Sequence, residues 1–147
     1  MNDSLPPFHL AIPVHDIEAA RRFYGEVLGF GRGRSDTRWT DWNFAGHQVV
    51  THQVDGAGGA DPSTRIAGTN SVDGHEVPVP HFGLVLDVAA FQRLARRVGR
   101  AGVDFVIEPH VRFEGEPGEQ WTMFFLDPSG NAMEFKAFAD PGALFAT

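Results

Sequence analysis

The chain alternates between short apolar runs and segments of helical periodicity, and this pattern occurs twice. FHLAIPV (Phe8–Val14) is apolar enough for a buried strand. Asp16 follows as an N-cap, with Glu18 placed to favour the first turn. Ile17, Ala20, Phe23, Tyr24, Val27 and Leu28 then recur at the spacing of an amphipathic helix, which Gly29 ends. Strand-like stretches follow near Gly31–Ser35, Thr37–Phe44 and Gln48–Val54, with Gly46-His47 as a turn. Residues 55–80 are rich in Gly, Pro, Ser and Asp and lack periodicity, so they are expected to form a linker or lid. The pattern then restarts. HFGLVL (His81–Leu86) is a strand and Asp87 an N-cap. Val88, Phe91, Leu94, Ala95 and Val98 form a helical stripe ended by Gly102. Val103–Ile107, His110–Phe113, Gln120–Leu126 and Asn131–Phe138 are the expected strands, and Asp127-Pro-Ser-Gly130 is a turn between the last two.

The first strands of the two halves align at an offset of 72 residues (His9 with His81), and the helices align to within one residue of it, Asp16 and Ile17 with Asp87 and Val88. Neither half alone can bury both its helix and its sheet, whereas two copies together can. The expected fold is therefore α+β: a single domain of two tandem βαβββ modules, 8–54 and 81–138, forming a curved, partly closed mixed sheet around a central cleft.

Composition narrows the chemistry. The 147 residues carry a net charge of −7, which argues against a nucleic-acid surface. Arg93, Arg96, Arg97 and Arg100 sit at helical spacing and read as a solvated helix face. With no cysteine, disulfides, thiolate nucleophiles and Cys-bound metals are excluded. No apolar run is long enough to span a bilayer, and MNDSLPPFHL lacks the features of a signal peptide, so a cytoplasmic protein is expected.

His9 and His81 occupy equivalent places in the two halves. Glu134 lies in the last strand between Met133 and Phe135, and a carboxylate in so apolar a strand needs a compensating partner. Two imidazoles and a carboxylate on a divalent ion meet that need and leave coordination positions open. Taken singly, each of the three also suits an ordinary hydrogen-bonded strand residue. Aligning GHQVV with GNAME matches Val50 to Glu134 and puts His52 two residues on, on the same face. His52 is a candidate fourth ligand, substrate contact or catalytic base. Gln48 shares that face as a candidate substrate contact or an edge-strand polar residue. His15, His75 and His110 read as loop or surface residues, and His47 as part of a turn. Arg112 opens the acidic loop 112–120, where it suits either an anionic substrate group or a rim ion pair with a nearby Glu.

HLAIPVHDIEAARRFYGEVLGF (His9–Phe30), VPHFGLVL (Val79–Leu86) and FFLDPSGNAMEF (Phe124–Phe135) together resemble the vicinal oxygen chelate superfamily of glyoxalase I, extradiol dioxygenases, fosfomycin resistance proteins and bleomycin-binding proteins. Within it, RFEGEPGEQWTMFFLDPSGNAMEFK is most similar to small proteins described as extradiol-type dioxygenases. The resemblance implies paired βαβββ modules, the ligands His9, His81 and Glu134, and a small substrate that chelates the metal through adjacent oxygens. It favours Fe(II) over Zn, Mn, Ni or Co and leaves open a homodimer with the site completed across chains. Ring-cleaving members generally carry a Tyr shortly before the Glu ligand. Here that stretch offers Phe124 and Phe125, and the lone tyrosine is Tyr24. A glyoxalase-type isomerase or lyase, or a metal-free drug-binding protein, are the alternative functions.

Overall fold

The computed structural model describes residues 4–57 and 67–147. Its elements are β1 (His9–Val14), α1 (Ile17–Arg21) running into a π-helical turn (Arg22–Val27), β2 (Gly31–Ser35), β3 (Trp39–Phe44), β4 (His47–Gln53), β5 (Gly68–Val72), β6 (His75–Val79), β7 (Val85–Leu86), α2 (Val88–Arg100), β8 (Phe105–Arg112), β9 (Gln120–Leu126), β10 (Ala132–Phe138) and a 3₁₀ turn (Pro141–Phe145). Among the described residues no helix is long and apolar enough to cross a membrane.

The strands form two four-stranded mixed sheets of identical order, β1-β4-β3-β2 and β7-β10-β9-β8, each with one parallel pair; neither closes into a barrel. This is the expected pair of βαβββ modules. The registers coincide as well. Leu10 lies opposite Val49, and Phe82, its counterpart 72 residues on, bridges to Met133. Val50 and Glu134 are thus equivalent positions, as are His52 and Lys136.

The amphipathic stripes bury against both sheets in one core, which includes Phe23, Tyr24, Phe44, Phe91, Phe125 and Phe135. Asp16 and Asp87 cap the helices as expected, accepting from Glu18 and Ala19 amides and from the Ala90 amide. The first helix departs from a regular α form after Arg21. Arg97 of α2 donates from Nε to the Val27 carbonyl (2.7 Å) and from Nη2 to that of Glu26 (3.0 Å), satisfying groups at the helix end.

The DPSG turn joins the modules. Asp127 is buried and accepts from the amides of Ser129 and Asn131, from Asn131 Nδ2 and from the Tyr24 hydroxyl, all at 2.8 Å. Asn131 Nδ2 also donates to the Pro13 carbonyl, and the His15 amide to Ser129 Oγ. Burial raises the Asp127 carboxyl above its ordinary 3.8, although the donors around it act in the opposite sense. Burial, and then the Asp127 charge, push the Tyr24 phenol well above 10.0.

Three elements differ from expectation. Within 55–80, residues 68–79 form the β5–β6 hairpin; part of the expected linker or lid, 58–66, lies outside the described residues. Asp73 (φ 49°) and Gly74 (φ 81°) make its two-residue turn, in which both central residues need positive φ. The two segments expected around 103–113 merge into β8, where bulges accommodate Pro109, which has no N–H to donate. His81–Leu86 runs along β10, but only Val85–Leu86 forms a regular strand. Gly83 is essential to that approach: a Cβ there would stand 1.6 Å from the Glu134 carbonyl oxygen.

Candidate functional site

In each sheet, alternate residues face the helices and the remainder face away. On the second sheet the outward set includes Glu134 and Lys136 of β10, opposite Phe124 and Thr122 of β9, with His110 and Arg112 beside them on β8. His81, entering from the hairpin just after the cis Val79–Pro80 bond, completes the group. His81 Nε2 stands 3.5 Å from Glu134 Oε2, and Lys136 Nζ lies 2.9 Å from Glu134 Oε1. The Glu134 side chain is only 10% exposed, so its charge depends on these two neighbours. The His81 ring also packs edge-on against Phe124, centroids 5.1 Å apart.

The β5–β6 hairpin lies over this face. Val77 packs with Ile107 and Phe124, His75 stacks near His110 (centroids 4.7 Å apart), and Asp73 pairs with Arg112 Nη2. Between hairpin and sheet is a cavity of about 210 Å³ whose walls include His75, His81, His110, Arg112, Thr122 and Glu134. His75 is exposed and His110 half-buried, as expected of surface residues, but both lie on strands rather than loops and line this cavity. The Asp73-Gly74 dipeptide was the available signal for the hairpin that carries His75 to the cavity. The rim partner of Arg112 is Asp73 rather than a glutamate of loop 112–120.

The other candidates lie on the first sheet. His9 Nδ1 contacts Gln48 Oε1 at 2.7 Å, and Gln48 and His52 share one face of β4. His52, exposed, lies opposite Trp39 and Pro13. Within one chain, and among the described residues, no group of three His, Asp or Glu side chains converges closely enough to hold a metal ion. The fold thus brings together His81 and Glu134, and separately His9 and Gln48.

Both ligand candidates have one ring nitrogen committed. An amide oxygen and a carbonyl can only accept, so His9 Nδ1 donates to Gln48, and His81 Nδ1 donates to the Pro78 carbonyl at 2.6 Å. The proton on Nδ1 leaves the Nε2 lone pair free to bind a metal. At His81, Nε2 faces a carboxylate oxygen at 3.5 Å, a contact that either a proton on the imidazole or a metal cation between the two would satisfy. The donor chemistry of His81 and Glu134 therefore fits a divalent ion, and His9 is prepared in the same tautomer. Tyr24, by contrast, is fully buried and committed to Asp127, far from any substrate role.

The fold defines a protein built on paired βαβββ modules. Residues 7–135 match the model of the Glyoxalase/Bleomycin resistance protein/Dioxygenase superfamily, and the chain belongs to that superfamily. Among solved structures, a glyoxalase/bleomycin resistance protein/dioxygenase from Alicyclobacillus acidocaldarius is 29% identical, with a TM-score of 0.73 over 99% of this chain and 100% of its own. A glyoxalase/dioxygenase from Nostoc punctiforme is 19% identical (TM-score 0.66, 95% of this chain and 99% of that one). The fosfomycin resistance protein FosX from Listeria monocytogenes is 15% identical (TM-score 0.65, 97% and 98%). At such identities the latter two share the fold alone. No curated protein matches the chain.

Proposed function

We propose that this protein is a divalent-metal enzyme acting on a small molecule with two adjacent oxygens, with extradiol-type ring cleavage as its reaction and ferrous iron as its metal. His81 and Glu134 would hold the metal from one chain and His9 from a second copy, in a homodimer. The observation that carries this reading is the shared tautomer of His9 and His81, each donating from Nδ1 and keeping Nε2 free. A bound divalent ion would supply Lewis-acid chemistry, lowering the pKa of a chelating hydroxyl, and as iron it would also serve dioxygen activation.

The remaining roles fall to this chain's side chains. Phe124 and Ile107 present an apolar wall to an aromatic ring. His110 donates Nδ1–H to the Glu108 carbonyl at 2.9 Å, so its Nε2 is free to accept a proton from a bound hydroxyl and return it later. It takes the acid–base role considered for His52. His52 and Gln48, on the first sheet, would line the site only from the opposing chain. Superfamily membership and the 29% identical relative are consistent with a metal enzyme.

The test is elemental analysis of protein purified without chelator or affinity metal, on the parent and on His9→Ala and Glu134→Gln variants. Each variant alone should lose the metal. Unfolding and refolding the two variants together should restore it, because a mixed dimer that shares sites across chains contains one site with neither substitution. Iron together with dioxygen uptake on catechol supports ring cleavage, whereas zinc, nickel or cobalt would redirect the reading to isomerase or lyase chemistry. Failure of the mixture to regain metal would overturn the shared site.

A further inference from the structure

Resting on that reading of the site, we infer that the cavity beneath the β5–β6 hairpin recognises a carboxylate on the substrate, held by Arg112 and Thr122, with Asp73 occupying the arginine until substrate arrives. Two buried polar atoms have no hydrogen-bond partner among the described residues, Arg112 Nε and Thr122 Oγ1. Both residues line this cavity, and Thr122 is only 5% exposed. A buried donor left unsatisfied is costly and uncommon, so two on one wall point to a missing acceptor. Arg112 is also underused. Asp73 meets only Nη2, and Gln120 Oε1 lies a long 3.5 Å from Nη1, although a guanidinium fork suits a carboxylate at two nitrogens.

Charge and spacing agree. The formally charged residues lining the cavity are Arg112, Lys136 and Glu134, two positive and one negative, and a cation at Glu134 would make the surroundings more positive still. Thr122 precedes Phe124 by two residues along β9, and Phe124 lies opposite Glu134. The anion subsite is therefore about 7 Å along the strand from the His81–Glu134 pair. One benzene ring spans that separation, carrying adjacent hydroxyls at one end and a carboxylate at the other. The 210 Å³ volume falls below the roughly 300 Å³ at which sites for drug-sized ligands begin, which suits a single ring.

The gate follows from the geometry. Asp73 belongs to the hairpin turn and is half exposed, so its displacement by a competing carboxylate would free the hairpin tip. Asp73 is thus a positioning residue, a tethered competitor for the ligand's own charge.

The test is titration of chelator-treated, metal-free protein with benzoate and with benzamide, followed by calorimetry. Benzoate should bind and its neutral counterpart should bind at least tenfold more weakly. Arg112→Gln and Thr122→Val should each weaken benzoate, the former by about tenfold. Thr122→Val removes the unsatisfied hydroxyl at nearly constant shape, so its folding is safe. Asp73→Asn keeps a residue tolerant of positive φ, and should tighten benzoate severalfold, which no purely structural role predicts. Equal binding of benzoate by parent and Arg112→Gln, or no binding by the parent, overturns the proposal. Because no metal is present, those results leave the ligand set of the proposed function untouched; equally, benzoate binding by a protein that never takes up metal would sink only the latter.

Discussion

The bond from Tyr24 to Asp127 is the most sharply testable element of the fold. Tyr24→Phe removes one oxygen and leaves the ring packing against Phe23 and Trp42 in place. Both partners of the 2.8 Å bond are buried, so water cannot replace the lost donor. Hydrogen bonds to charged groups contribute about 1.5–3 kcal/mol, and Asp127 keeps its other three donors. The expected loss is therefore about 2 kcal/mol, a fall in Tm of roughly 4–8 °C for a chain of this size. Its pH dependence has a definite sign. A carboxyl whose folded pKa is raised contributes stability that is complete below the ordinary value of 3.8 and is lost as pH rises through the folded value. The tyrosine bond opposes that rise. Without it the Asp127 pKa climbs further, so the variant loses more stability than the parent on going from acid to neutral pH. Urea unfolding followed by tryptophan fluorescence, at about pH 4 and about pH 8, measures both effects. A loss under about 0.5 kcal/mol, or one that is the same at both pH values, would refute an ionised Asp127 held by this hydroxyl.

Two further outcomes follow. Tyr24 is the sole tyrosine, so the near-ultraviolet phenolate band reports it alone. With its pKa pushed well above 10.0, stability is lost as pH rises past that value, and phenolate should appear only together with unfolding. A smooth titration near pH 10.0 in still-folded protein would contradict its burial. Gly83→Ala should cost about 3 kcal/mol or more in denaturant unfolding, because its Cβ would meet the Glu134 carbonyl 1.6 Å away and the backbone must move. A variant as stable as the parent would show that the two segments do not approach so closely.

Much of the architecture is legible in the residues because it depends on local periodicity and repetition. Apolar spacing marks both helices, Asp16 and Asp87 mark their starts, and the repeat carries the equivalence of the two sheets from the first strands, 72 residues apart, to the last, where Val50 matches Glu134. The β5–β6 hairpin escapes that reading because GTNSV is exposed throughout and HEVPV largely so, and such strands need no alternation; only the Asp-Gly turn betrays them. Candidate ligands could likewise be chosen from residue type and repeat position, since a carboxylate between Met133 and Phe135 requires compensation wherever it lies.

Distances between segments far apart in the chain belong to tertiary structure alone. Periodicity shows which face a residue takes, not which other face it meets. The fold sets His81 beside Glu134, sets His9 beside Gln48 on the other sheet, and leaves no three-residue cluster within one chain among the described residues. It also carries His75 and Asp73 over β8, where they meet His110 and Arg112. Neither His75 nor His110 stands out in sequence, because a histidine's role depends on what its second nitrogen faces. That is decided by which loops and strands the packed core holds together.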